Sequence, residues 1–149
     1  MKLSTKGRYG LRAMFELAKY YGKGPIPLRN IANKQSVSDN YLEQLIAVLK
    51  KEGLVNSVRG AQGGYMLAKQ PKEITVGEIL RALEGNIAPT DCAVEDEEFT
   101  CEREKHCVTK VVWVKIRDSV NEVIDSITLQ DMIDEEKKLS NNDGYMYYI

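Results

Sequence analysis

LRNIANKQSVSDNYLEQLIAVLKKEG, residues 28–53, decides the fold. Leu28, Ile31 and Ala32 share one side of a short helix. Ser36-Val37-Ser38 makes a tight connection. Ser38 has the side chain of a good N-cap for a second helix, which Gly53 stops after about Glu52. In that helix Leu42, Leu45, Ile46 and Leu49 form an apolar face, while Asn40, Tyr41, Glu43 and Gln44 gather at its N-terminal end on the other side. This is the helix-turn-helix layout, in which the first residues of the second helix meet base edges in the major groove.

Outward from this unit, Leu54–Val58 reads as a strand and Tyr65-Met66-Leu67 as its hairpin partner. The turn between them, Arg59-Gly-Ala-Gln-Gly-Gly64, is glycine-rich and begins with an arginine. A plain hairpin would look the same. Directly after a helix-turn-helix it reads as a wing, whose tip reaches a phosphate or a minor groove where Arg is favoured. Upstream, Ser4 or Thr5 caps a first helix to about Tyr21, with Met14, Leu17, Ala18 and Tyr21 as its buried stripe. Downstream, Thr75-Val-Gly-Glu78 matches a capping box for a short amphipathic helix carrying Ile79, Leu80 and Leu83 and closed by Gly85.

Residues 86–106 read as irregular and acidic. From about Val108 a long helix begins, in which Trp113, Ile116, Val120, Val123 and Ile127 recur at alternating three- and four-residue spacing. So narrow a stripe suits a helix-pairing seam better than a globular face, and makes this the dimer helix. Packing within one chain is the alternative. Thr128-Leu-Gln-Asp131 starts a final short helix, and Asn141-Asn-Asp-Gly144 reads as a flexible lead into Tyr145-Met-Tyr-Tyr-Ile149. The predicted fold is mainly α with a small β-hairpin wing. A winged helix-turn-helix (1–85) is followed by a cysteine-containing loop (86–107), dimerisation helices (108–139) and a C-terminal tail (140–149).

The net charge of −1 conceals an asymmetry. Residues 1–72 carry 13 Lys and Arg against 4 Asp and Glu, whereas residues 73–149 carry 8 against 18. A basic half joined to an acidic half fits a nucleic-acid surface coupled to another task, though solvated basic halves are also common. No stretch approaches the roughly 20 apolar residues of a membrane span, and the N-terminus MKLSTKGRYG has no apolar signal core. A cytoplasmic protein without a membrane partner is the expectation.

Cys92, Cys101 and Cys107 are the only cysteines, spaced C-x8-C-x5-C. An odd number argues against a structural disulfide framework. Three thiolates on one loop can converge on an iron–sulfur cluster or a zinc ion, with a fourth ligand from Asp91, Glu102, Glu104, His106 or a second subunit. Residues 91–107 hold seven acids against two bases, a setting that disfavours a reactive thiolate but not a metal-bound one. Inert surface cysteines are the bland alternative. No G-x-S-x-G, phosphate loop or G-x-G-x-x-G between a strand and a helix is present, which points away from an enzyme.

The opening MKLSTKGRYGLRAM, the segment Tyr41-Leu-Glu-Gln44-Leu, the run Gly53–Gly60, the wing Gly63-Gly64-Tyr65, Val76-Gly-Glu78-Ile and Ile127-Thr-Leu129 together resemble the Rrf-type winged-helix transcription regulators, which have IscR-like and CymR-like branches. The resemblance covers nearly the whole chain. It implies a homodimer binding a double-stranded operator through Ser38, Tyr41, Glu43 and Gln44 in the recognition helix and Ser57 and Arg59 in the wing. Gln44 suits a bidentate contact to adenine and Arg59 a groove or phosphate contact, while Glu43 implies that site choice depends on cluster occupancy. The cysteines resemble the ligands of the IscR-like cluster, of two-iron or four-iron type. The first inter-cysteine loop is longer than in that branch, and Lys110 replaces the histidine three residues after the last cysteine, which leaves the fourth ligand unassigned. The closing residues, Tyr148 and Ile149 above all, resemble the CymR-like end, whose terminal carboxylate docks in cysteine synthase. An aromatic end packed on the dimer helices is the alternative.

Overall fold

The computed structural model describes residues 1–95 and 101–146, without the side chains of residues 143–146. Helix α1 spans Thr5–Lys19, α2 Leu28–Gln35 and α3 Asp39–Lys51. The hairpin strands are β1, Val55–Val58, and β2, Gly64–Leu67; α4 then spans Val76–Glu84, α5 Val108–Ser126 and α6 Leu129–Met146.

The predicted apolar faces are buried. Met14, Leu17, Ile31, Leu42, Ile46 and Leu49 meet Val55, Leu67, Ile74, Ile79 and Leu129 in one core. Each such side chain contributes about 1.5–3 kcal/mol when fully removed from water. Tyr21 departs from expectation. The amides of Tyr20 and Tyr21 bond three residues back, to Leu17 and Ala18. This tighter winding carries Tyr21 off the stripe, so it lies past the helix and exposed.

Strands β1 and β2 pair antiparallel, Val55 opposite Leu67 and Val58 opposite Gly64. Ile26 adds a third short segment by exchanging two backbone hydrogen bonds with Tyr65, 2.8 and 2.9 Å. Gly64 is required at that junction: its φ is +153°, and a Cβ there would lie within 2.8 Å of the Pro27 nitrogen. The sheet thus clamps the chain just before α2, and so fixes the helix-turn-helix against the wing.

Helix α4 has the predicted box in full: the Thr75 hydroxyl accepts from the Glu78 N–H and the Glu78 carboxylate from the Thr75 N–H. A second box, Thr128 with Asp131, starts α6. Backbone bonds Val76 N–H to Ile127 carbonyl, 2.8 Å, and Leu129 N–H to Ile74 carbonyl, 3.0 Å, pin the α5–α6 corner beside the start of α4. The expectation of a short last helix and a tail from residue 140 is corrected, since α6 runs to Met146. Once the box and the buried Leu129 have nucleated it, each further residue adds a backbone bond, and the good helix formers Glu135–Leu139 carry it into the weaker Asn141-Asn142.

The α5 stripe divides. Val120, Ile124 and Ile127 pack on a second apolar cluster, Val76, Leu80 and Ile87, which is the intrachain alternative realised at that end. Ile116 and Val123 remain exposed, as do Val108, Val111 and Val112 earlier in the helix. No residue of α5 is fully buried in the single chain.

Candidate nucleic-acid interface and cysteine loop

Ser38 begins the recognition helix as predicted: its Oγ accepts the Tyr41 N–H at 3.2 Å. That places Asn40, Glu43 and Gln44 in the first two turns of α3, all exposed. The wing is set beside this face by a contact that sequence reasoning missed. Lys50, near the end of α3, donates to the Ser57 hydroxyl in β1 at 2.7 Å. A cation seven residues before a strand serine was the only trace of it in the sequence. Arg59 follows at the exposed mouth of the turn. Ser38, Asn40, Glu43, Gln44, Ser57 and Arg59 therefore come from two elements locked together, all exposed, with only the Ser38 cap and the Lys50–Ser57 bond engaging their side chains among the described residues.

Tyr41 is the exception, half-buried where the sequence put it on the polar face of the helix. Its ring stands edge-on to Tyr9 of α1, centroids 6.1 Å apart, and its hydroxyl is buried with no hydrogen-bond partner. One position along a helix turns the side chain by about a quarter-turn or more, enough to bring Tyr41 round from the polar group toward α1. It fixes the recognition helix to α1 instead of facing outward with Glu43 and Gln44.

Beneath the helix-turn-helix, Glu16 is the one buried charged residue among the described residues, paired with Lys19 at 3.0 Å and Lys34 at 3.1 Å. Burial pushes its carboxyl up, but the hydrogen bonds and charges of the two lysines outweigh that and hold it below the usual carboxylate range. The pair ties α1 to α2.

In the loop, Cys92 and Cys107 are half-buried and Cys101 is exposed. Cys92 Sγ lies 3.1 Å from the Thr90 hydroxyl, and Cys107 Sγ 3.1 Å from that of Thr109. Cys107 also occupies the N-cap position of α5. The Thr109 hydroxyl first, then the N–H groups of Lys110 and Thr109 opening that helix, hold its thiol below the ordinary value. The acid-rich composition suggested the opposite. Helix-end amides at contact distance outweigh carboxylates spread along a solvated loop. Lys110 is raised, chiefly by its 2.8 Å pair with Glu104.

Among the described residues no three His, Cys, Asp or Glu side chains converge as a metal-binding group. Three thiols suit an iron–sulfur group by their chemistry, and a protonated Lys110 has no lone pair to complete the set. The expected partner contacts, Tyr148 and Ile149, lie outside the described residues, as does most of the acidic run 95–98. Among the described residues no helix is long and apolar enough to cross a membrane.

Residues 3–135 match the Rrf2 family model, described as an iron-dependent transcriptional regulator. The HTH-type transcriptional regulator CymR of Bacillus subtilis strain 168 is 48% identical over 149 residues, covering 100% of both chains. The solved structure of CymR, described as the global cysteine regulator of B. subtilis, superposes with a TM-score of 0.73 at 50% identity, over 89% of this chain and 95% of that one. T. potens IscR superposes with a TM-score of 0.78 at 51% identity, over 99% of this chain and 97% of that one. The fold is that of these winged-helix regulators.

Proposed function

The chain belongs to the Rrf2 family of transcriptional regulators, and from that premise we propose that it is a homodimeric operator-binding regulator whose cysteine loop senses iron–sulfur status. The observation that carries DNA reading is the locked pairing of α3 and wing, with Asn40, Glu43 and Gln44 exposed beside Ser57 and Arg59. An α-helix presented in this way fits the major groove, with the wing on the flanking backbone. Two-fold operators need two such units. The apolar face of α5, exposed from Val108 to Val123, supports pairing with the same helix of a second copy.

Cys92, Cys101 and Cys107 would hold the cluster, which when bound supplies a charged group whose presence depends on iron and sulfide. Position 110 contributes charge in place of ligation, so the fourth ligand comes from another group. Anaerobically purified protein is expected to show broad visible absorbance with matching iron and sulfide, lost when the three cysteines are changed to alanine together. Colourless protein after anaerobic reconstitution, or unchanged operator control in the triple variant, sinks cluster sensing.

One observation favours a second reading. The full-length match to CymR includes the C-terminus, which supports a repressor of cysteine metabolism whose Tyr148 and Ile149 dock in cysteine synthase. Deleting Ile149 should then abolish capture of that enzyme, and equal recovery with both forms would refute docking.

A further inference from the structure

Helix α4 touches both ends of the regulator. At one end, Arg117 of α5 donates to the carbonyl of Ala93, next to Cys92, at 2.9 Å. One turn on, Asn121 donates to the Ile87 carbonyl at 3.1 Å and accepts from Arg81 of α4 at 2.8 Å. Arg81 also pairs with Asp125. Gly77 leaves room for that pair, because a Cβ there would collide with the Asp125 carboxylate.

At the other end, three residues along α4, Glu84 reaches α1. Its Oε1 accepts the Ser4 N–H at 2.9 Å, the Ser4 hydroxyl, and the Gly7 N–H at 3.0 Å. Ser4 stands at the N-cap position of α1 but makes no cap of its own. A carboxylate from another helix closes these donors instead, and favours the positive end of the α1 dipole. A Cβ at Gly7 would lie 2.5 Å from that oxygen. Two residues beyond Gly7, Tyr9 packs on Tyr41 in the recognition helix. The Tyr41 hydroxyl has no hydrogen-bond partner, so the side chain meets α1 through ring packing on Tyr9.

We infer that Arg81 and Glu84 are positioning residues that make α4 a strut between the cysteine loop with α5 and the DNA-reading helix. The strut is short and stiff: nine residues, a reciprocal box at the start and Gly85 at the end. A displacement of α5 pulls α4 through Arg81, and α4 moves the start of α1 through Glu84. The inference rests on the proposal that the cysteine loop reports to the DNA-binding half.

The test is a double-mutant cycle on the full-length protein, with operator affinity read by fluorescence anisotropy at fixed salt. Arg117→Ala releases the loop from α5 and Glu84→Gln weakens the grip on α1; each should change affinity by about threefold or more. On the strut model the double variant is no worse than the stronger single one, whereas Arg117→Ala combined with Arg59→Ala multiplies. Gly7→Ala, which displaces the Glu84 carboxylate by sterics, should reproduce Glu84→Gln. A merely stabilising role would lower the unfolding temperature and leave the effects multiplicative. Multiplicative effects of Arg117→Ala and Glu84→Gln, or an affinity unmoved by Arg117→Ala, overturn the strut. Cluster sensing fails separately, through a triple cysteine variant that regulates normally.

Discussion

Ser38 carries two roles that one pair of substitutions can separate. Its Oγ caps the recognition helix by accepting the Tyr41 N–H, and the same residue stands among the candidate DNA contacts. Ser38→Ala leaves that N–H to solvent. Loss of an N-cap costs about 0.5–2 kcal/mol, and at this exposed position, where water replaces part of the bond, about 1 kcal/mol is expected. For a chain of this size that lowers the melting temperature by about 2–4 °C. Ser38→Asp keeps an acceptor at the cap and adds a charge favourable to the α3 dipole, so it should melt near wild type. On the operator the order inverts. The new carboxylate faces phosphate, and like-charge repulsion should weaken binding by about tenfold or more relative to Ser38→Ala. Calorimetry at one protein concentration and anisotropy at one salt concentration read the two effects apart. Equal melting of all three proteins would refute the cap's energetic role. Equal operator affinity of the Ala and Asp variants would refute the placement of Ser38 against DNA.

Arg59→Ala is expected to weaken specific binding by about 1–3 kcal/mol if the guanidinium reads a base edge. A uniform loss across operator and random duplex, with a shallower salt dependence, would assign it to phosphate. Val112→Asp with Ile116→Asp puts charge on the exposed face of α5 and should shift sedimentation from dimer to monomer; an unchanged dimer would move the interface elsewhere. Glu16→Gln tests the buried pair through pH. Its carboxyl is held low because Lys19 and Lys34 outweigh burial, so its contribution is complete above the unfolded carboxylate value of about 4.3 and is lost as pH falls through the folded value. The wild type should therefore lose its stability advantage over the variant on acidification; parallel stability profiles would contradict this.

What the sequence by itself determined is local. The Ser38 cap, the Thr75–Glu78 box, the apolar faces of α2 and α3 and the glycine-rich turn depend on residues within one or two turns of each other, so spacing alone made them legible. The candidate contacts Asn40, Glu43, Gln44 and Arg59 followed from those elements, while Ser57 came from the resemblance to the Rrf-type regulators. Errors arose where a side chain had a choice of neighbours. Tyr41 sits among polar residues in sequence but turns to Tyr9, and Tyr21 continues a periodicity that the tightened end of α1 breaks. The same holds for Cys107, whose surroundings in sequence are acidic while its contacts are the amides of a helix start. Only the tertiary structure decided the long-range bonds: Lys50 to Ser57, Arg81 to Asn121 and Asp125, and Glu84 to Ser4 and Gly7. Charge–dipole and hydrogen-bond energies fall off within a few ångströms, so a residue 80 positions away matters only after packing has brought it into contact. That packing also divides α5 between an inner face on α4 and an outer face left exposed, a division that the heptad-like stripe could not foretell.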